Sequence, residues 1–279
     1  MPRSAVPRRP RVLLDDAELR ELLRFAEELA DAAGQAILPF FRRSAEEENK
    51  AADGSFDPVT AADRAAEHAM RDLIRQRYPT HGVFGEEHGF DEGRSGLTWV
   101  LDPIDGTRAF VTGIPLWGTL IALHDGERPV LGIMNQPFTE ERFIGSRLGG
   151  LFRHRGLQHP LHTRHCPRLA DARLQCTHPG LFSPAERQAF ERLAAEVRLT
   201  RFSGDCYAYC MVALGCIDLV VESGLEPYDV QALIPIVEQA GGVMTNWRGG
   251  DCSQGGQVIA AGDHALHAQA LEILASAAD

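Results

Sequence analysis

Hydrophobic and polar positions follow two different rhythms along this chain. Between residues 15 and 42, apolar side chains recur at Leu19, Leu22, Leu23, Ala26, Leu29, Ala33 and Ile37. That three-and-four spacing puts them on one face of an amphipathic helix. The polar stretch "ENKAADGSFDP", residues 48–58, breaks the pattern and reads as an exposed, mobile loop. Thr60 and Asp63 then resemble a capping pair opening a second helix, with Ala66, Met70, Leu73 and Ile74 on its buried face. Tyr78-Pro79 should stop that helix. From residue 82 the period shortens. "GVFGEE", "TWVLD", "GTLIALHDG", "PVLGIMNQPF" and "ERFIGS" are β-like runs separated by turn residues. Together they predict a mostly antiparallel sheet covered by the two N-terminal helices.

After about residue 160 strands and helices alternate. "ARLQCT", "RLTRFS", "IDLVVES", "GVMTNW" and "VIAAG" read as strands. "SPAERQAFERLAAEV", "CYAYCMVALGC", "YDVQALIPIVEQAGG" and "HALHAQALEIL" read as helices, the first with Ser183 as N-cap and Pro184 at its first position. Gly241-Gly242 end the third. Alternation of this kind predicts an α/β half with helices on both faces of its sheet. The expected organisation is a disordered tail (residues 1–12), an N-terminal α+β half (13–158) and a C-terminal α/β half (159–279).

Composition narrows the function. Of 279 residues, 44% are hydrophobic and 24% charged, an ordinary globular profile. No run approaches the roughly 18–20 apolar residues of a membrane span. Four arginines in the opening segment make a poor nucleic-acid footprint on a chain of net charge −11. Six cysteines form no C-x-x-C pair and no export signal precedes them, so reduced thiols in the cytoplasm are expected. The histidine-rich segment "FRHRGLQHPLHTRHC" matches no zinc spacing and reads as a solvated hairpin.

The stretch "WVLDPIDGTRAF", residues 99–110, carries the chemistry. An inward-running apolar strand ends in Asp102 and Asp105, and burying unpaired carboxylates is costly. Pro103 disfavours helical geometry at Asp102, so the strand should end there. Gly106 lets backbone approach a ligand, and the N–H groups of Gly106 and Thr107 would open a short helix that attracts phosphate. Carboxylates beside a phosphate need a cation between them, and hard oxygen ligands in that setting point to magnesium. Glu86, Asp63 and Asp229 also stand at strand ends or helix starts. Taken singly, each has an ordinary explanation as a turn or capping residue.

"GEE" (85–87), "DPIDGT" (102–107), "EPYDVQALIPIVEQAGG" (226–242) and "DPVTAAD" (57–63) resemble, in order and separation, the signatures of the inositol monophosphatase superfamily. Those enzymes are lithium-sensitive, magnesium-dependent phosphatases, and the likeness spans about residues 15–275. Within the superfamily, "LDPIDGTRAFVTGIPLWGTLIAL" and "RFSGDCYAYCMVALGCIDLVVESGLEPYD" are similar to the histidinol-phosphatase branch. Inositol-specific members carry asparagine in a "GTxNF" run where this chain has Arg108-Ala109, and "WD" where it has Tyr228-Asp229.

The resemblance implies an αβαβα layered sandwich, α+β to α/β in class, forming a homodimer. It implies two or three Mg2+ per site, with Mn2+ able to substitute, held by Glu86, Asp102, Asp105, Asp229 and the Ile104 carbonyl. Phosphate would lie on the backbone of Asp105, Gly106 and Thr107. Arg201, Asp205, Glu222 and Asp229 would meet the rest of the substrate, and Glu86 or an Asp63–Thr107 pair would accept the proton of the attacking water. The expected reaction is hydrolysis of histidinol phosphate, a small phosphate ester, in histidine biosynthesis; neither nucleic acid nor membrane is an expected partner. The alternatives are an inositol-1-monophosphatase or broad sugar-phosphate phosphatase, and, in another class, a non-catalytic ligand-binding protein on the same fold. A 3′,5′-bisphosphate nucleotidase is disfavoured because no second basic phosphate pocket stands out.

Overall fold

Asp15 starts the first helix with a reciprocal cap. Its carboxylate accepts the N–H groups of Ala17 and Glu18, and Glu18 accepts the Asp15 N–H. The computed structural model describes residues 5–7, 9–42, 47–49 and 58–278. In chain order its first half comprises α1 (Asp16–Ile37), β1 (Glu47–Asn49), β2 (Pro58–Thr60), α2 (Ala61–Arg77), β3 (Gly82–Gly85), β4 (Gly89–Asp91), β5 (Thr98–Asp105), α3 (Thr107–Val111), β6 (Gly118–His124), β7 (Pro129–Gln136), β8 (Glu141–Ser146), β9 (Gly149–His154) and β10 (Leu157–Pro160). The second comprises β11 (Arg173–Cys176), α4 (Pro184–Glu196), β12 (Leu199–Phe202), α5 (Asp205–Ala213), β13 (Leu219–Leu225), α6 (Pro227–Val230), α7 (Leu233–Gln239), β14 (Val243–Thr245), β15 (Gly256–Ala261) and α8 (His264–Leu274).

Eight strands form one sheet in the order β10-β9-β8-β7-β6-β5-β3-β4, antiparallel except where β3 runs beside β5. Five form a second, β12-β11-β13-β15-β14. Side chains that alternate along each strand sort the core into layers. Trp99, Leu101, Ile121, Leu123 and Ile133 join α1 and α2 on the outer face of the large sheet. Val100, Leu120, Ala122 and Met134 face the other way and meet α5 and α7. Those helices also meet Val220, Val258 and Ala260 of the small sheet, whose opposite face packs Leu219, Val221 and Ile259 against α4 and α8. The result is the expected five-layered αβαβα sandwich.

Close backbone approach seats the middle layer. Gly132 and Gly145 face each other across β7 and β8. A Cβ on Gly132 would lie 2.0 Å from the Ala232 carbonyl oxygen, and one on Gly145 would lie 2.3 Å from that of Pro235. Only glycine at both positions lets the α6–α7 segment rest on the sheet.

Several expectations need correction. Residues 5–7 and 9–12 are not a loose tail. Val6 is 2% exposed and its N–H donates to Gln254, while the N–H groups of Arg9 and Val12 donate to the carbonyls of Gly126 and Asp125. The single helix expected over 228–242 is two, α6 and α7, because Pro235 has no N–H for the Gln231 carbonyl one turn earlier. The strand expected to end at Asp102 continues as β5 to Asp105. By contrast, residues 152–160 of the histidine-rich segment lie in the β9–β10 hairpin as expected, and the residues of β10 are all exposed. Residues 47–49 and 58–60 pair as β1 and β2; most of the exposed loop expected over 48–58 lies outside the described residues.

Candidate functional site

A break in strand register creates the site. Asp102 pairs with Leu120 and Asp105 with Gly118, so Pro103 and Ile104 stand opposite Thr119 alone. The Thr119 hydroxyl donates to the Pro103 carbonyl at 2.8 Å, and the Thr107 hydroxyl donates to that of Ile104 at 3.1 Å. The bulge brings the carboxylates of Asp102 and Asp105 together near the C-terminal end of β5. Gly106 then turns the chain with φ 88°, and a Cβ there would lie 2.8 Å from the Leu116 carbonyl oxygen.

Asp229 comes from the other half of the molecule. It is the third residue of α6 rather than a cap, and its carboxylate accepts the Glu226 N–H at 2.7 Å. One carboxylate oxygen from each of Asp102, Asp105 and Asp229 lies within 4.8 Å of the others. Among the described residues no other group of three acidic, histidine or cysteine side chains gathers this way. Asp105 is further held by the Cys206 N–H at the start of α5.

Burial and nearby carboxylates raise the proton affinity of all three aspartates. Burial and the charges of Glu86, Asp105, Asp229 and Asp63 push the Asp102 carboxyl well above its usual range. Burial and Asp105 do the same to Asp229. Burial and Asp205 push Asp105 up to about 7. Asp102 is 1% exposed, and its Oδ1 has no hydrogen-bond partner. A sealed carboxylate oxygen without a donor, among like charges, is expensive in any protein that does not neutralise it. All-oxygen donors and this charge fit a hard divalent cation.

Glu86 follows β3, its N–H donating to the Leu101 carbonyl beside Asp102. It lies outside the trio, but its charge is the largest coulombic contribution at Asp102. Asp63 is buried in the first turn of α2 and contributes in the same direction.

Next to the cluster opens a cleft of about 770 Å³, lined in part by Arg108, Thr177, His178, Arg201, Phe202 and Asp205. Asp205 has φ 43° and Ser203 φ 67°, a strained turn held where the Gln175 amide donates to the Ser203 carbonyl. Burial pushes Asp205 up to about 6 against the pull of its hydrogen bonds and of the Arg108 guanidinium. Glu222, expected at the pocket edge, is 3% exposed and sits behind Thr177, whose N–H it accepts. Burial pushes its carboxyl up to about 8. Arg108, Thr177, His178 and Phe202 were not singled out from sequence as lining residues. Arg108 falls on the unspecified position of "GTxNF", where the departure is Ala109, so that pattern carried no signal for the arginine.

The chain belongs to the inositol monophosphatase family, matching it over residues 18–278. It is 42% identical over 277 residues to a chloroplastic bifunctional phosphatase of Arabidopsis thaliana, covering 94% of this chain and 77% of that one. It is 35% identical over 246 residues to a histidinol-phosphatase of Chlorobaculum parvum, covering 88% and 93%. Among solved structures, an inositol monophosphatase from Zymomonas mobilis superposes with a TM-score of 0.82 at 45% identity, covering 92% of this chain and 98% of that one. No helix among the described residues is long and apolar enough to cross a membrane.

Proposed function

We propose that the protein is a magnesium-dependent phosphomonoesterase whose preferred substrate is histidinol phosphate, acting as a homodimer in the cytoplasm. The observation that carries the first part is the convergence of Asp102, Asp105 and Asp229 within 4.8 Å, with one sealed oxygen left unbonded. Those three, with Glu86 and the Ile104 carbonyl, would hold Mg2+, or Mn2+ in its place. Bound magnesium supplies charge that makes water a better nucleophile and stabilises the phosphoryl oxygens and the leaving alkoxide. The backbone of Asp105, Gly106 and Thr107 would orient the phosphate. Glu86, or Asp63 acting with the Thr107 hydroxyl, would accept the proton of the attacking water at a carboxylate oxygen.

The substrate part rests on the cleft. Asp205 offers a carboxylate to an ammonium group, and Phe202 an exposed ring to an imidazole. A neutral cyclitol has no use for that carboxylate. Arg201 lines the same space, whereas Glu222 would act through Thr177. The histidinol-phosphatases among the relatives support this reading. A second reading, hydrolysis of inositol 1-phosphate or of several small phosphate esters, is favoured by the bifunctional relative and the Zymomonas structure.

Steady-state kinetics on histidinol phosphate and inositol 1-phosphate, side by side in magnesium, separate the readings. We expect kcat/KM at least about tenfold higher for histidinol phosphate, a difference of about 1.4 kcal/mol in transition-state binding. The reverse preference would transfer the assignment to the second reading. No magnesium-dependent phosphate release from either ester would favour a non-catalytic binding protein.

A further inference from the structure

A buried ion pair on α2 has no part in the site as described so far, yet it grips the turn that carries Glu86. Glu67 is 0% exposed and Arg71, one turn on, is 2% exposed. A carboxylate sealed this completely survives only if every lone pair finds a donor. Glu67 finds four. Arg71 Nε donates at 2.7 Å, the Glu87 N–H at 2.8 Å and the His88 N–H at 3.1 Å, and the His88 ring nitrogen lies at 3.2 Å. Arg71 in turn donates to the Gly89 carbonyl and, at 3.1 Å, to Asp91 on β4.

Every one of these bonds beyond the Glu67–Arg71 pair lands on the segment 87–91. On the other side, the Glu86 N–H is tied to Leu101, next to Asp102. Glu86 is therefore clamped between β5 and the Glu67 carboxylate. Gly85 makes the clamp possible, because a Cβ there would lie 2.3 Å from Glu67 Oε1. Apolar side chains of similar volume would fill this space at no desolvation cost. What they would lack is a hold on the two N–H groups that follow Glu86.

We infer that Glu67 is a positioning residue for Glu86. By fixing the 85–88 turn it turns the Glu86 carboxylate toward Asp102 and so sets the affinity of the acidic cluster for a divalent cation. The inference rests on the proposed metal site but not on the choice of substrate.

The test is Mn2+ affinity of the purified full-length protein, followed by the electron paramagnetic resonance of free Mn2+, without substrate. Four variants are compared with wild type well below their melting temperatures: Glu67→Gln, Gly85→Ala, Glu86→Gln and the Glu67→Gln/Glu86→Gln double. Outer partners of metal ligands typically set affinity by 10–100-fold. Glu67→Gln and Gly85→Ala should therefore each weaken binding by about tenfold or more, and the double variant should bind no more weakly than Glu86→Gln alone. Gly85→Ala displaces the carboxylate while leaving its charge in place, so it gives the same reading if Glu67→Gln does not fold. Unchanged affinity in the folded variants, or losses that multiply in the double, would reduce Glu67 to a structural role and overturn the inference. If wild type itself bound no Mn2+, the metal site would fall first.

Discussion

Asp102 concentrates the conflict between stability and function in this protein. It is buried, one of its oxygens has no partner, and four acidic neighbours oppose its charge. Asp102→Asn should therefore act in opposite directions under two conditions. In saturating magnesium it should lower kcat by about 100-fold or more with the fold intact, because an anionic ligand is lost. In chelator at pH 8 it should raise the melting temperature, because a buried like charge is removed. Turnover with circular dichroism melts in each condition checks both; wild-type kcat in the variant would remove Asp102 from the cation site. Asp205→Ala should raise KM for histidinol phosphate several-fold more than for glycerol phosphate, since only the first brings a cationic amine. At this scale the acidic residues were legible because Asp102 and Asp105 lie three apart beside a proline and a glycine. Arg108 was not, because its neighbours Thr177, His178, Arg201 and Phe202 reach the cleft from segments far along the chain.

Elements with a strong apolar period were readable from the sequence, and short exposed ones were not. α1 and α8 follow their hydrophobic spacing, and β8 occupies the run "ERFIGS". β4 has three residues, two of them exposed, so no alternation marks it. The strand through Asp102 was cut short because Pro103 reads as a terminator. A bulge accommodates it, with the Thr119 hydroxyl on its carbonyl. Pro235 was visible, yet the apolar pattern running through it concealed the break between α6 and α7.

The link between α2 and β3 also carries a pH response. His81 Nδ1 accepts the Trp99 indole N–H at 3.1 Å, with Tyr78 stacked on the ring at 4.7 Å, and burial pushes its pKa down to about 4. The unfolded chain, with histidine near 6.5, then binds more protons than the native state between pH 6.5 and 4. Stability is thus present above pH 6.5 and lost as pH falls to about 4, with a limiting slope of about 1.4 kcal/mol per pH unit that partial exposure reduces. His81→Gln keeps an acceptor for Trp99 but cannot titrate. Urea unfolding at steps through this range should show a shallower acid loss in the variant; parallel curves would remove His81 from the response.

At the scale of the whole molecule, the middle helical layer joins the two halves of the site. Asp229 on α6 meets Asp102 and Asp105 of the large sheet, and the Cys206 N–H in the first turn of α5 holds Asp105. None of this pairing is visible in a linear pattern, because it depends on how far apart the two sheets stand. The glycines of β7 and β8 set how closely the α6–α7 segment approaches the large sheet. Gly145→Ala, which would force a Cβ to 2.3 Å from the Pro235 oxygen, should cost about 1–3 kcal/mol and weaken magnesium activation by moving α6. Denaturant midpoints and the magnesium dependence of kcat would show both effects, and a change in stability alone would separate helix seating from the site.

The most direct test of the account is anomalous scattering from crystals soaked in manganese. Density centred among the carboxylates of Asp102, Asp105 and Asp229, with Glu86 beside it, is the predicted result. Manganese bound only elsewhere, with these oxygens still bare, would contradict it.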